Sequence, residues 1–406
     1  MTDPQPSDDR PEVSAIVSVL NGERFIGDIS EYLVNQTFED LEVIFVISSK
    51  CVDASLDKAR ESASGMRRAK VFEYPDTGEL GGSKNYGKDR ASGRCLWFLD
   101  VDDRPSLHYL EEMVAVRRRR KAQVVGCNFI YSSERTPFEE DPGAYEVLEM
   151  TGPEAAVMRA TERYPVASWS MLYDADFVKA NGIRFEEGIC EDIGFTYRTL
   201  LNADTVCYCT KPLYKYMITP GSVCNSRENR DRRGSTEIRR YDSLEEYVTG
   251  RENEEFLKRR FALLRIRSAG HMTFGRFYRY VKSPEYLDML KRTGGMQVLL
   301  EGGFQWLFPS LYFLMIRYWF LQVFYRSGKR YSKPVPSDGG SHRVHLRYQV
   351  RGRLLEHLRQ VLELRDQRRP VGVVGGGGPF DPVQYAAVGP FGLGREHGPF
   401  RDVVVA

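Results

Sequence analysis

Three carboxylates crowd the end of the run Cys95-Leu96-Trp97-Phe98-Leu99, as Asp100-Val101-Asp102-Asp103. Side by side they repel one another, and a divalent cation among them would turn that repulsion into binding. Upstream, Gly81-Gly82-Ser83-Lys84-Asn85-Tyr86-Gly87 offers a second chemistry. A glycine pair with Ser83 as cap would present bare backbone N–H groups at a helix start, and Lys84 would add a mobile positive charge against a diphosphate. Each motif also has an ordinary explanation. The acids suit a solvated turn capping the next helix, and Gly-Gly-Ser makes common turns and caps. Their separation, one helix plus one strand, returns both loops to the same sheet edge. A diphosphate between Lys84 and a cation on Asp102 is then physically sensible.

Such loops need a rigid sheet behind them. Cys95–Leu99 is too short for a free-standing helix and has the pattern of a strand buried on both faces. Similar apolar runs occur at Val13–Leu20, Leu41–Ile47, Val71–Tyr74 and Gln123–Ile130. Between them the periodicity predicts helices at about Glu23–Asn35, Asp53–Ser64, Ser83–Ala91 and Leu107–Arg120. Strands alternating with helices predict an α/β fold built on a doubly wound, mostly parallel sheet. After Ser132 the alternation weakens, and Thr151-Gly152-Pro153-Glu154 predicts a helix start with a capping box.

The chain has 406 residues, enough for more than one domain, and a formal net charge of +2, which argues against a strongly basic nucleic-acid binder. The basic run Arg117–Lys121 has the place of a solvated helix end. Seven scattered cysteines show no metal or disulfide spacing and fit reduced thiols. Met1–Arg10 is polar, predicts disorder, and lacks the apolar stretch of a signal peptide. Beyond Asn225 the chain becomes charged and helical. Phe304–Tyr325 is rich in aromatics, but Arg317 near its middle would cost about 3 kcal/mol inside a bilayer. With Arg326, Lys329, Arg330 and Lys333 following, the stretch suits a membrane surface, or else an aromatic core helix or a dimer face. Val344–Arg368 predicts an amphipathic helix, and Gly375–Pro379 opens a tail expected to be disordered.

Taken in order, these motifs resemble glycosyltransferase family 2, inverting sugar transferases of the GT-A fold. Ser18-Val19-Leu20-Asn21-Gly22-Glu23 resembles the family's first strand and nucleotide loop, and Asn35–Val43 the stretch into its second strand. Ser83-Lys84-Asn85-Tyr86-Gly87 resembles its Ala-Arg-Asn-x-Gly loop, and Asp100-Val101-Asp102-Asp103 its Asp-x-Asp metal motif. The resemblance implies that Asn21, Glu23, Ser48, Lys84, Asn85, Asp100 and Asp103 bind the nucleotide-sugar. It implies that Asp102 holds Mg²⁺ or Mn²⁺ on the diphosphate. Glu191-Asp192-Ile193-Gly194-Phe195 resembles the Glu-Asp motif, which implies Asp192 as general base and Glu191 as its positioning partner. Trp169–Tyr173 and Tyr214–Tyr216 with Pro220–Val223 resemble segments near the acceptor and diphosphate, so Trp169 and Tyr216 become acceptor candidates.

Three places depart from the pattern. Ser48 stands where an acidic residue would read uracil, Val19-Leu20 replace Pro-Tyr, and Ser170-Met171 replace Asn-Lys. The expected organisation is residues 1–10 disordered and 11–226 a GT-A domain, with a nucleotide-sugar half 11–131 and an acceptor half 132–226. A helical region, 227–334, would carry the membrane-surface segment 304–326, followed by an amphipathic helix and tail over 335–406. The implied activity is inverting transfer from a nucleotide-diphosphate sugar, UDP-sugar favoured, to a glycan or lipid-linked acceptor. Its expected setting is cell-surface polysaccharide, teichoic-acid-like or glycolipid synthesis on the cytoplasmic face of the membrane. Two alternatives stay open: a non-catalytic nucleotide-sugar-binding module, and a sugar-nucleotide nucleotidyltransferase.

Overall fold

The computed structural model describes residues 10–315, apart from 76–79, 141–142, 144, 166 and 220–228. The expectations for the N-terminal residues 1–9, the Pro220–Val223 loop, the aromatic segment past residue 315, the Val344–Arg368 helix and the tail lie outside these residues.

The first half alternates as its hydrophobic pattern predicts: β1 (Val13–Val19), α1 (Glu23–Val34), β2 (Leu41–Ser48), α2 (Ser55–Ser64), β3 (Ala69–Tyr74), α3 (Leu80–Lys88) and β4 (Cys95–Asp100). There follow β5 (Arg104–Pro105), α4 (Tyr109–Arg120), β6 (Val124–Ser132), β7 (Val147–Met150) and α5 (Gly152–Ala160). Then come a single 3-10 turn (Ser168–Ser170), β8 (Met171–Asp174), α6 (Ala175–Ala180), α7 (Glu191–Asn202) and β9 (Val206–Met217). Five helices follow, α8 (Arg230–Tyr247), α9 (Glu254–Ala269), α10 (Phe274–Val281), α11 (Pro284–Thr293) and α12 (Met296–Leu307), and residues 309–315 are again helical. None of the described helices is long and apolar enough to cross a membrane.

One sheet runs β3-β2-β1-β4-β8-β6-β9-β5, with β7 paired to β9. Strands β1 to β4 are parallel neighbours, as are β6 and β9, and β8 enters antiparallel between β4 and β6. Alternate side chains serve opposite faces, as strand geometry requires. Cys95, Trp97 and Leu99 join Val13, Val17 and the α4 residues Leu110 and Met113 on one side. Leu96 and Phe98 join Ile16, the α7 residues Phe195 and Leu200, and Tyr241 and Phe261 of α8 and α9 on the other. The strand before the acidic motif is therefore buried on both faces, and the core on the second face runs across the boundary expected at residue 226, because α8 and α9 pack on the sheet.

Local signals behave as expected at α5, where Thr151 and Glu154 form a reciprocal capping box. The arginine run ending α4 does more than meet solvent: Arg117 pairs with Asp174 and Arg118 with Glu12 at 2.9 Å. These ion pairs tie α4 to the end of β8 and the start of β1.

Glu237 on α8 is buried between Arg233 at 2.8 Å and His271 at 2.9 Å. Burial works to raise its carboxyl, but the His271 and Arg233 contacts outweigh burial and lower it from 4.5 to about 2. A folded value below the unfolded one gives stability that is present above the ordinary carboxylate range and lost as pH falls through the folded value. Glu237→Gln is expected to cost about 3 kcal/mol at neutral pH. In unfolding measurements across pH, its deficit should close between 4.5 and about 2.

Candidate functional site

The parallel register sets Ser18 of β1 beside Asp100 of β4, so both strands deliver their loops to one edge. Helix α3 crosses that edge. It begins no later than Leu80, so Ser83 is not its cap, and the Ser83 hydroxyl donates instead to the Leu80 carbonyl (2.8 Å) and Ser18 Oγ (3.0 Å). The glycines allow close approach rather than exposing bare N–H groups. A Cβ on Gly81 would lie 2.1 Å from the Glu186 carbonyl oxygen, and one on Gly87 would lie 2.4 Å from Ile16. That proximity presses α3 against β1 and against the loop leading into α7.

Lys84 is consequently not the mobile charge the sequence implied, because its side chain is only 1% exposed. Its ammonium donates to Glu191 (2.8 Å), Ser168 Oγ (3.1 Å) and Asp192 (3.3 Å), and lies 3.9 Å from Asp100. Burial alone would lower its pKa, but Asp192, Glu191 and Asp100 together raise it well above the usual value. Lys84 is therefore a fixed cation joining the acidic end of β4 to the acidic start of α7. Asn85 is also occupied within the fold: its amide donates to the Phe185 carbonyl (2.8 Å) and accepts from the Phe185 N–H (3.0 Å).

The carboxylates divide by environment. Asp103 is fully enclosed; it accepts from the Tyr214 hydroxyl (3.0 Å) and the Met217 N–H (2.8 Å), and burial pushes its pKa well up. Its contacts are with β9, so it anchors the motif rather than facing a ligand. Asp100 is raised to about 7 by burial, which Lys84 opposes and Asp192, Asp102 and Glu191 reinforce. Asp102 is half-buried at the same strand end. Glu191 is buried, and burial raises it against the pull of Lys84. Asp192, with a side chain 19% exposed against 5% for Glu191, is the more open member of its pair. Both acids sit in the first turn of α7, where the helix dipole favours negative charge.

The remaining candidates lie around this centre. Asn21 adopts a left-handed backbone (φ 52°), and its side chain accepts from the Val52 N–H at 2.9 Å. Glu23 accepts from the Ala54 N–H at 3.1 Å, while its own N–H donates to Asp53 at 3.0 Å. These bonds lace the loop after β1 to the loop after β2, with Asn21 and Glu23 exposed at the rim. Ser48 is buried at the end of β2, where its hydroxyl accepts from the Lys50 N–H. Trp169 stacks on Tyr214 (4.5 Å) and Tyr216 (5.3 Å), and Tyr216 meets the exposed ring of Tyr131 at 5.6 Å. The aromatic set is thus a core ladder with an open end. Sequence reasoning did not single out Ser168, Asp53 or Met217 as partners, because each acts through a hydrogen bond between distant segments that no local motif encodes.

Four carboxylates, Asp100, Asp102, Glu191 and Asp192, against one lysine, with oxygen donors only, suit a hard divalent cation such as Mg²⁺ or Mn²⁺. Among the described residues no three His, Cys, Asp or Glu side chains form a ready-made cage. A cation held by one or two carboxylates and a substrate's phosphates needs no such cage. Asp102, with Asp100 beside it, has the chemistry for that role.

Residues 14–177 match the family model described as glycosyl transferase family 2. EpsH of Bacillus subtilis, named as a glycosyltransferase, is 31% identical over 218 residues, covering 52% of this chain and 62% of its own length. The cholesterol galactosyltransferase of Borreliella burgdorferi is 25% identical over 225 residues, covering 53% of this chain and 62% of its own. The chain thus spans about three-fifths of the length of these curated relatives. Among solved structures, S. aureus TarS 1-349 in complex with UDP is similar with a TM-score of 0.54 at 18% identity, over 80% of this chain and 98% of that one. The same TarS segment in complex with UDP-GlcNAc gives 0.53 at 17% identity, over 70% and 79%. Over residues 14–177, then, the chain carries the likeness to glycosyltransferase family 2 that its motifs led one to expect.

Proposed function

We propose that this protein transfers a sugar from a nucleoside-diphosphate donor to an acceptor hydroxyl with inversion at the anomeric carbon. The observation that carries the reading is the buried Lys84 ammonium, which touches the carboxylates of both acidic motifs and so holds them together. In the reaction, Asp192 accepts the proton of the acceptor hydroxyl as its oxygen bonds to the anomeric carbon. The bond from that carbon to the diphosphate breaks, and its electron pair leaves on the phosphate oxygen. Glu191 and Lys84 hold Asp192 in place. When bound at Asp102, Mg²⁺ or Mn²⁺ would supply charge neutralisation to the departing diphosphate.

A uridine diphosphate sugar is the favoured donor, supported by the TarS fold likeness and the resemblance of the nucleotide loop. Trp169 and Tyr216 are the acceptor candidates, Tyr216 toward the open end of the aromatic ladder and Trp169 buried behind it. The acceptor we favour is a glycan or lipid-linked saccharide used in cell-surface polysaccharide, teichoic-acid-like or glycolipid synthesis, at the cytoplasmic face of the membrane.

A donor screen by thermal shift with Mn²⁺ tests the reading, since a ligand binding only the folded state raises its unfolding temperature. UDP-sugars are expected to stabilise the wild type only when the metal is present. Asp102→Asn should lose that metal-dependent shift, by at least about tenfold in donor affinity. A wild type that binds donor yet never cleaves it, with or without acceptors, would instead favour a binding module.

A further inference from the structure

Helix α12 and the helical stretch 309–315 turn an apolar face toward water. Their inward residues Val298 and Phe313 close a small core with α9, α10 and α11, and Gln305 donates to the Ile266 carbonyl at 2.7 Å. Their outward residues Met296, Leu299, Leu300, Leu307, Leu311 and Leu314 are 75, 50, 44, 59, 49 and 65% exposed. A solvated helix normally presents polar residues on that side. Between residues 296 and 315 the one charged residue is Glu301, half-buried and 3.6 Å from Arg267, so the outward stripe carries no charge.

Among the described residues a cation borders this stripe. Lys282 lies 4.5 Å over the ring of Trp306 and donates to its carbonyl. Phe274 packs on Phe313 at 5.2 Å while remaining 41% exposed, which extends the apolar surface onto α10. From Gly302 to Ser337 the sequence has no Asp or Glu, but it has Arg317, Arg326, Lys329, Arg330 and Lys333.

We propose that this face docks on the surface of an anionic lipid bilayer, with the leucines at the acyl boundary and the cations among the headgroups. Charge complementarity selects this occupant over a second copy of the chain. A two-fold contact would set the same cations against one another. The inference rests on the glycosyl-transfer reading only for its purpose, which is to bring the enzyme to a lipid-linked acceptor.

The test is co-sedimentation of the full chain with vesicles of phosphatidylcholine alone or mixed with phosphatidylglycerol, with no donor present. Strong binding is expected to the mixed vesicles, weak binding to phosphatidylcholine, and release as salt rises. Leu299→Ser/Leu307→Ser/Leu311→Ser should bind the mixed vesicles at least about tenfold more weakly. It should keep the wild-type unfolding temperature and donor hydrolysis, because these residues face outward. Three results would each overturn the proposal: no binding to the mixed vesicles, equal binding by the triple variant, or a wild-type dimer that the variant dissolves with vesicle binding unchanged. Absent glycosyl transfer alongside intact vesicle binding would count against the catalytic reading alone.

Discussion

Replacing Asp192 by asparagine is expected to lower kcat for transfer by about three orders of magnitude while leaving donor affinity within a few-fold of the wild type. The shape is kept and the proton acceptor is removed, so the loss should fall on kcat rather than on KM for donor. Asp192 is chosen over Glu191 because its side chain is 19% exposed, whereas that of Glu191 is 5% exposed and lies 2.8 Å from the Lys84 ammonium. Glu191 is enclosed, and Asp192 is the more open of the two. Steady-state transfer kinetics combined with equilibrium donor binding measure the two quantities separately. Unchanged transfer by Asp192→Asn would remove Asp192 from the base role.

Lys84→Met is expected to destabilise the fold by about 3–5 kcal/mol, since breaking a buried ion pair leaves uncompensated charge behind. The ammonium is the shared partner of Glu191, Asp192 and Asp100, within 2.8, 3.3 and 3.9 Å. Without it those carboxylates face one another in a low-dielectric pocket, and protonation becomes their cheapest relief. The deficit should therefore shrink as pH falls, because the variant's folded state takes up protons at a higher pH than its unfolded state does. Lys84→Met/Glu191→Gln should recover part of the loss by deleting one of the stranded charges. Chemical denaturation at several pH values checks both claims. A Lys84→Met variant within about 1 kcal/mol of wild type would show that the cluster is not held together by this cation.

Much of the fold was legible because strands and helices of the first half carry strong local patterns. The runs ending in Leu20, Ile47, Tyr74 and Leu99 became β1 to β4 with edges moved by a residue or two. The antiparallel β8 and the two-residue β5 were not legible, since neither has enough residues to show a period and both depend on distant partners. The site was legible as a set of acids but not as an arrangement. Gly81-Gly82-Ser83 has the composition of a helix cap, yet the tight contact with Glu186 made it part of the helix itself. Lys84 followed the helix inward, and a residue expected to reach a diphosphate became a brace between Asp100, Glu191 and Asp192. Ser48 and Asn85 likewise have types that suit a ligand, but their described hydrogen bonds run to neighbouring backbone.

Asp103 lies inside the segment matched by homology, but both groups that grip it, the Tyr214 hydroxyl and the Met217 amide, lie some forty residues beyond the end of that segment at 177. Similarity therefore marks an inherited stretch that is not a self-sufficient folding unit. A recombinant fragment or a chimera cut at its border would sever the motif's own clasp, and a workable seam has to fall after β9.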